Sequence, residues 1–279
     1  MKKNDLVIER FNGVNEFVKT IRTRKPNTVF AGKKQASKEN DSVFTMTESY
    51  SESEEIMTKG YSEGLAELKA SKGVKVQTAS NLHKRIPQAS VVGYAPHVPN
   101  AIAGIPQSMI GTRTIAMKSK VISIIYSGGG AANMETSDFV RAGRNLLDLV
   151  TMLELQGYRV GVEIMDDFCV SKQKGFVCVK VKEQRQPLNP LKLAYPLIHP
   201  SFFRRQGFRW LETCPNITDK SYYYGYGHPL YAECNYNTNK VREYLKKNGL
   251  LSDGVFYTNM YEARNNTAEE LVKIMGIKK

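Results

Sequence analysis

The chain has 279 residues, 40 Lys and Arg against 27 Asp and Glu, and a formal net charge of +13. That length can bury a substantial core, and a hydrophobic content of 41% excludes wholesale disorder. The longest apolar runs are strand-sized, which excludes a membrane-spanning helix, and the basic start Met1-Lys2-Lys3-Asn4-Asp5 lacks the apolar stretch of a signal peptide.

The first 45 residues read as a basic, partly flexible arm. Phe11 to Arg24 holds one short helix, with Phe11, Val14, Phe17, Val18 and Ile21 at helical spacing, and Gly32 to Lys38 reads as a linker. A helix capped at Ser51 or Ser53 then runs to about Lys69, with Gly60 and Gly64 as points where it can split. Val91 to Pro106 is a Gly- and Pro-punctuated apolar loop, expected to pack on the body. Thr114–Met117 and Val121–Tyr126 read as strands, the second covered on both faces. Ser127-Gly128-Gly129-Gly130-Ala131-Ala132 follows, then a helix from Thr136 to about Gln156 that Gly157 stops. The next strand, Tyr158 to Met165, ends at Asp166-Asp167, which completes a βαβ crossover. Phe176–Lys182 alternates as an edge strand does. Asn189-Pro190 and His199-Pro200-Ser201 open helices, Thr238 caps another, Val255–Tyr257 is a short strand, and Thr267 to Glu270 is a capping box. The expected architecture is one α/β domain over residues 46–279, with a Rossmann-like or von Willebrand A-like sheet flanked by helices.

Charge is blocky along this chain. Residues 1–45 carry +5, 71–120 carry +7 and 171–220 carry +7, while 46–70 and 121–170 carry −4 each. No Asp or Glu occurs between Glu67 and Glu135. Such basic blocks suit an anionic partner, and equally a solvated rim with none.

Three places can hold chemistry. Ser127, Gly128, Gly129 and Gly130 lie at the carboxyl end of a buried strand, where backbone N–H groups and a helix start suit an anion. The sequence there is neither GxGxxG nor a P-loop, and small residues also serve simply to turn a helix tightly onto a sheet. Asp166 and Asp167, with Ser127, are the candidate catalytic residues, although adjacent strand residues point opposite ways. Lys180, Lys182, Arg185, Arg204, Arg205 and Arg209 stand among Phe202, Phe203, Phe208 and Trp210, a mixture that suits phosphate contacts with base stacking. The competing reading is a helix whose aromatics are core. The tyrosine run from Tyr222 to Tyr226 invites the same two readings. Cys169, Cys178, Cys214 and Cys234 have no CxxC spacing and read as reduced thiols, and no metal site or cofactor is implied.

The strand–loop–helix order resembles the von Willebrand factor A domain, but Tyr126 stands where that family has its metal-binding Asp. Gly128 and Gly130 stand where it has Ser, so the resemblance implies a lost metal site. Val98-Pro99-Asn100, Gly104-Ile105-Pro106, Lys180-Val181-Lys182, Pro187-Leu188, Leu197-Ile198-His199-Pro200 and Arg204 to Phe208 together resemble an uncharacterised family of bacteriophage proteins over about residues 48–212. That resemblance implies a phage product in the host cytoplasm or the virion. The expected function is a non-enzymatic binding protein with nucleic acid as partner. A protein–protein adaptor, in the virion or against a host defence protein, is the alternative. A nucleotide-processing enzyme using Ser127 and Asp166 or Asp167 is the third. No membrane partner is expected, and a homo-oligomer is compatible with the same features.

Overall fold

The computed structural model describes residues 6–39, 42–70, 83–116, 120–129, 134–170, 173–218 and 227–277. It divides into two compact units, residues 1–76 with 121–279, and residues 77–120.

The elements of the large unit begin with β1 (Leu6–Phe11), α1 (Val14–Thr23), α2 (Ser42–Thr45), α3 (Tyr50–Lys59) and α4 (Ser62–Ala70). The small unit follows with β2 (His83–Ser90), β3 (Ala95–Pro96), α5 (Val98–Ile102) and β4 (Met109–Ala116). The chain then returns through β5 (Lys120–Ser127), α6 (Thr136–Leu155), β6 (Tyr158–Val170), β7 (Gln173–Lys182) and α7 (Pro190–Ile198). A π-helical segment, Phe202–Gly207, runs directly into α8 (Phe208–Thr213). Last come α9 (Leu230–Glu233), α10 (Thr238–Lys247), β8 (Val255–Asn259), α11 (Met260–Asn265) and α12 (Ala268–Met275).

Five strands form a mostly parallel sheet in the order β1-β7-β6-β5-β8, flanked by helices. Strand alternation sends Ile124, Tyr126, Ile164 and Phe168 to one face, under α6, α7 and α12. Ile125, Met165 and Cys169 go to the other, against Leu230 of α9 and Val241 and Leu245 of α10. Helix α6 buries the apolar stripe seen in the sequence, from Phe139 to Leu153, and a capping box of Glu135 and Asp138 opens it. Ser49 caps α3, and Gly60, at φ +91°, separates α3 from α4.

Three expectations are corrected. The first 45 residues are no separate arm. β1 pairs in parallel with β7 (Leu6 opposite Lys174, Phe11 opposite Val179), and Phe17, Val18 and Ile21 of α1 are buried. For the same reason β7 is an interior strand, since β1 takes the edge. β6 runs on to Val170, so Asp166 and Asp167 lie inside a strand rather than after one.

In the small unit, β2 and β4 pair antiparallel from His83 opposite Ala116 to Ser90 opposite Met109, and β3 adds to β4. The excursion between Ser90 and Met109 is exposed rather than packed away. Val92 is 79% and Ile102 83% exposed. Among the described residues, no helix is long and apolar enough to cross a membrane.

Candidate functional site

At the end of β5 the two aspartates separate onto opposite faces. Asp167 accepts a hydrogen bond from the Ser127 hydroxyl at 2.7 Å and another from the Leu230 backbone N–H at 2.5 Å. Asp166 turns to the other face, with Tyr126. Its Oδ1 and the Tyr126 hydroxyl are both buried without a hydrogen-bond partner. Gly207 of the π-helical segment explains how the acid fits, because a Cβ there would lie 2.5 Å from Asp166 Oδ2. Burial, and secondly the charge of Asp167, push the Asp166 carboxyl well above the usual carboxylate range. Burial also raises Asp167, and the bonds from Ser127 and Leu230 oppose that rise. Burial thus favours the protonated form of both, more strongly for Asp166, whose Oδ1 has no donor, than for Asp167, which has donors from Ser127 and Leu230. Gly128 and Gly129 are buried, and Gly129 passes between Pro229 and Phe203. Gly130, Ala131 and Ala132 lie outside the described residues, as do Tyr222 to Tyr226.

The six cations proposed for nucleic-acid contact split into two groups. Lys182, Arg204, Arg205 and Arg209 are each at most 5% exposed. Lys182 pairs with Glu154 at 2.5 Å and donates to the Val160 carbonyl at 2.7 Å. Arg205 donates to Thr47 Oγ1 (2.5 Å) and to the carbonyls of Thr47 (2.7 Å), Ser37 (3.0 Å) and Glu39 (3.1 Å). Arg204 donates to the Phe44 carbonyl at 2.6 Å and lies 4.2 Å over that ring. Arg209 reaches Gln35 Oε1 at 2.8 Å and the Arg24 carbonyl at 3.1 Å. Glu212 takes the Ser37 N–H and hydroxyl. Phe202, Phe203, Phe208 and Trp210 are core. The expectation that these four cations and four rings face a nucleic acid is therefore corrected. The N-terminal segment and the π-helical segment bind each other, because backbone carbonyls of residues 24–47 satisfy the arginines that burial would otherwise strand.

Lys180 and Arg185 remain outside. Arg185 is exposed, and Lys180 is partly exposed and paired with Glu183 at 3.3 Å. Lys180 lines a cavity of about 490 Å³ in the large unit, formed by the start of α1, the ends of α3 and β7, and the start of α7. Lys59 and Lys192 line it too, together with the buried Lys182 and with Glu183. Lys59 pairs with Glu55, and Lys192 has no ion-pair partner among the described residues. Gly13 begins α1 at the same cavity without a side-chain cap, with Glu16 in the first turn accepting from the Asn12 N–H, so the start of a ten-residue helix meets the exposed lysines Lys59 and Lys192 and the half-buried Lys180.

A family model described as a domain of unknown function, DUF7192, matches residues 2–278. The chain belongs to that family. No curated protein and no solved structure matches it.

Sequence reasoning over this DUF7192 chain missed the cavity, because its lysines come from α3, β7 and α7. It also missed a sealed network in which Ser201 Oγ lies 2.8 Å from His199 Nδ1 and 2.9 Å from the Tyr195 hydroxyl. Ser201 is fully buried, and burial lowers the His199 ring to about 4, so the pair holds the helix junction together as a neutral unit. The only hint in the sequence was the His-Pro-Ser at a helix start.

Proposed function

We propose that this protein is a non-enzymatic binding protein that holds the phosphate backbone of a nucleic acid in the cavity of Lys59, Lys180 and Lys192. The convergence of three lysines and an uncapped helix start on one cavity supports it. These groups are far apart in sequence, so local composition does not account for their meeting. With the neighbouring aromatic rings in the core, the contact is to phosphates rather than to bases, and recognition is independent of sequence. In this reading the protein is phage-encoded and acts in the bacterial cytoplasm or the virion, a setting that rests on the motif order across residues 48–212.

Three phosphate contacts release about three counterions on a duplex. Affinity should then fall about 40-fold between ~50 and ~200 mM salt. Fluorescence anisotropy with a labelled duplex and a labelled single strand reads this directly. No binding at ~50 mM salt, or affinity indifferent to salt, would sink the reading.

The adaptor reading has one observation in its favour, the exposed uncharged loop of the small unit. The enzyme reading gains less. Ser127 gives its proton to a carboxylate already held by the Leu230 N–H, a pairing that fixes the carboxylate and spends the hydroxyl proton on it.

A further inference from the structure

The lysine cavity is concave and narrow, and its width limits how a nucleic acid can use it. Taken as round, about 490 Å³ is about 10 Å across. The major groove of a duplex is by itself about 12 Å wide, so a duplex is too broad to enter. A backbone running across the mouth meets the rim alone. Cavities of ~300–1,000 Å³ are those that enclose one small molecule, and a single nucleotide is of that class.

The lining has two parts. Lys59, Lys180 and Lys192 supply a cationic part from α3, β7 and α7. Lys182 is wall rather than ligand group, because it donates to Glu154 and to the carbonyls of Val160 and Glu183. The other part is apolar. Val14, Met57 and Leu191 line the same cavity, and Leu191 lies against Gly60, where a Cβ would be 3.1 Å from Leu191 Cγ. An inorganic ion or a passing phosphodiester uses the cationic part alone. A terminal nucleotide uses both, with its phosphate on the lysines and its sugar carbons on the apolar wall.

Charge separates an end from an interior position as well. A terminal phosphomonoester carries about two negative charges at neutral pH, and an internal phosphodiester carries one. Glu183 holds Lys180 at 3.3 Å and Glu55 holds Lys59, so a ligand competes with carboxylates for two of the three lysines. A dianion competes better than a monoanion. We infer that the cavity takes the end of a strand, a terminal nucleotide with its phosphomonoester, rather than the continuous backbone. This rests on the reading of the cavity as a phosphate site. No aromatic ring stands among its described lining residues, so the end is held whatever its base.

The test uses the full chain and one single-stranded DNA sequence in four forms, each labelled at an internal base. The forms are 5′-phosphorylated, 3′-phosphorylated, hydroxyl at both ends, and ligated into a circle. Fluorescence anisotropy at ~50 mM salt gives the four affinities. One phosphorylated form or both should bind about tenfold or more tighter than the hydroxyl form and the circle. The two phosphorylated forms distinguish the ends that carry the same group. Lys59→Ala/Lys180→Ala/Lys192→Ala should erase the preference. A circle or a hydroxyl-ended strand that binds the wild type as tightly as the phosphorylated strands overturns the inference. Loss of that binding in the triple variant then keeps the cavity as a backbone site. A phosphate preference that the triple variant retains also overturns it, because the end is then held elsewhere. If no form binds, the phosphate reading itself falls and the inference with it.

Discussion

Arg205→Ala should lower the stability of the folded chain by about 3–5 kcal/mol, the scale of opening a void in a packed interior and stranding several buried acceptors. The guanidinium is fully buried and reaches four oxygens from residues 37, 39 and 47. Truncation removes the donor from the Ser37 and Glu39 carbonyls, leaves the Thr47 carbonyl only its bond from the Thr45 hydroxyl, and opens a void between the N-terminal segment and the π-helical segment. Arg205→Lys should recover only a minor part, because an ammonium is a point charge and cannot span four acceptors arranged around a planar fork. Denaturant midpoints for the three proteins check this. If Arg205→Ala keeps its full stability and instead loses nucleic-acid affinity, the side chain belongs to the surface.

Asp166→Asn should raise stability at pH 8 by about 1 kcal/mol or more, because the amide has no charge to bury where the carboxyl must either ionise or hold its proton against the solution. The sign follows from linkage. The Asp166 carboxyl is raised in the folded state by burial and by Asp167, so the folded chain binds its proton more tightly than the unfolded chain. Wild-type stability from this group is present below the ordinary carboxylate value and is lost as pH rises through the folded value. An amide has no such proton, so the gain should grow from pH 5 to pH 8. Thermal unfolding of both proteins across that range reads it. Parallel pH profiles would show that Asp166 is ionised in the fold and has a partner.

Local pattern carried much of the fold. The stripe of α6, the doubly covered β5, the Asn189-Pro190 start of α7 and the Thr267 capping box of α12 all depend on near neighbours, and all stand where spacing puts them. β1 was not legible, because Leu-Val-Ile-Glu-Arg-Phe looks like the start of a charged arm until β7 arrives far along the chain to pair with it. Burial of charge is non-local in the same way. Phe202 to Trp210 mixes rings and arginines whether it faces solvent or core, and the carbonyls that make the core choice affordable belong to residues 24–47. Of the candidate site residues, Ser127 and Asp167 meet as strand pairing allows, while Lys59 and Lys192 entered only through the cavity they share with Lys180.

The basic character of this chain divides into interior cations that hold the fold and a lysine-lined cavity that we propose holds phosphate. Binding of a labelled duplex to Lys59→Ala/Lys180→Ala/Lys192→Ala beside the wild type, across a salt series, tests it most directly. The triple variant should keep its unfolding free energy within about 1 kcal/mol, because two of its side chains are exposed and the third is half-buried beside Glu183. It should lose about 2–3 units from the slope of log affinity against log salt. A triple variant that binds with the wild-type affinity and slope would mean that the cavity holds no phosphate.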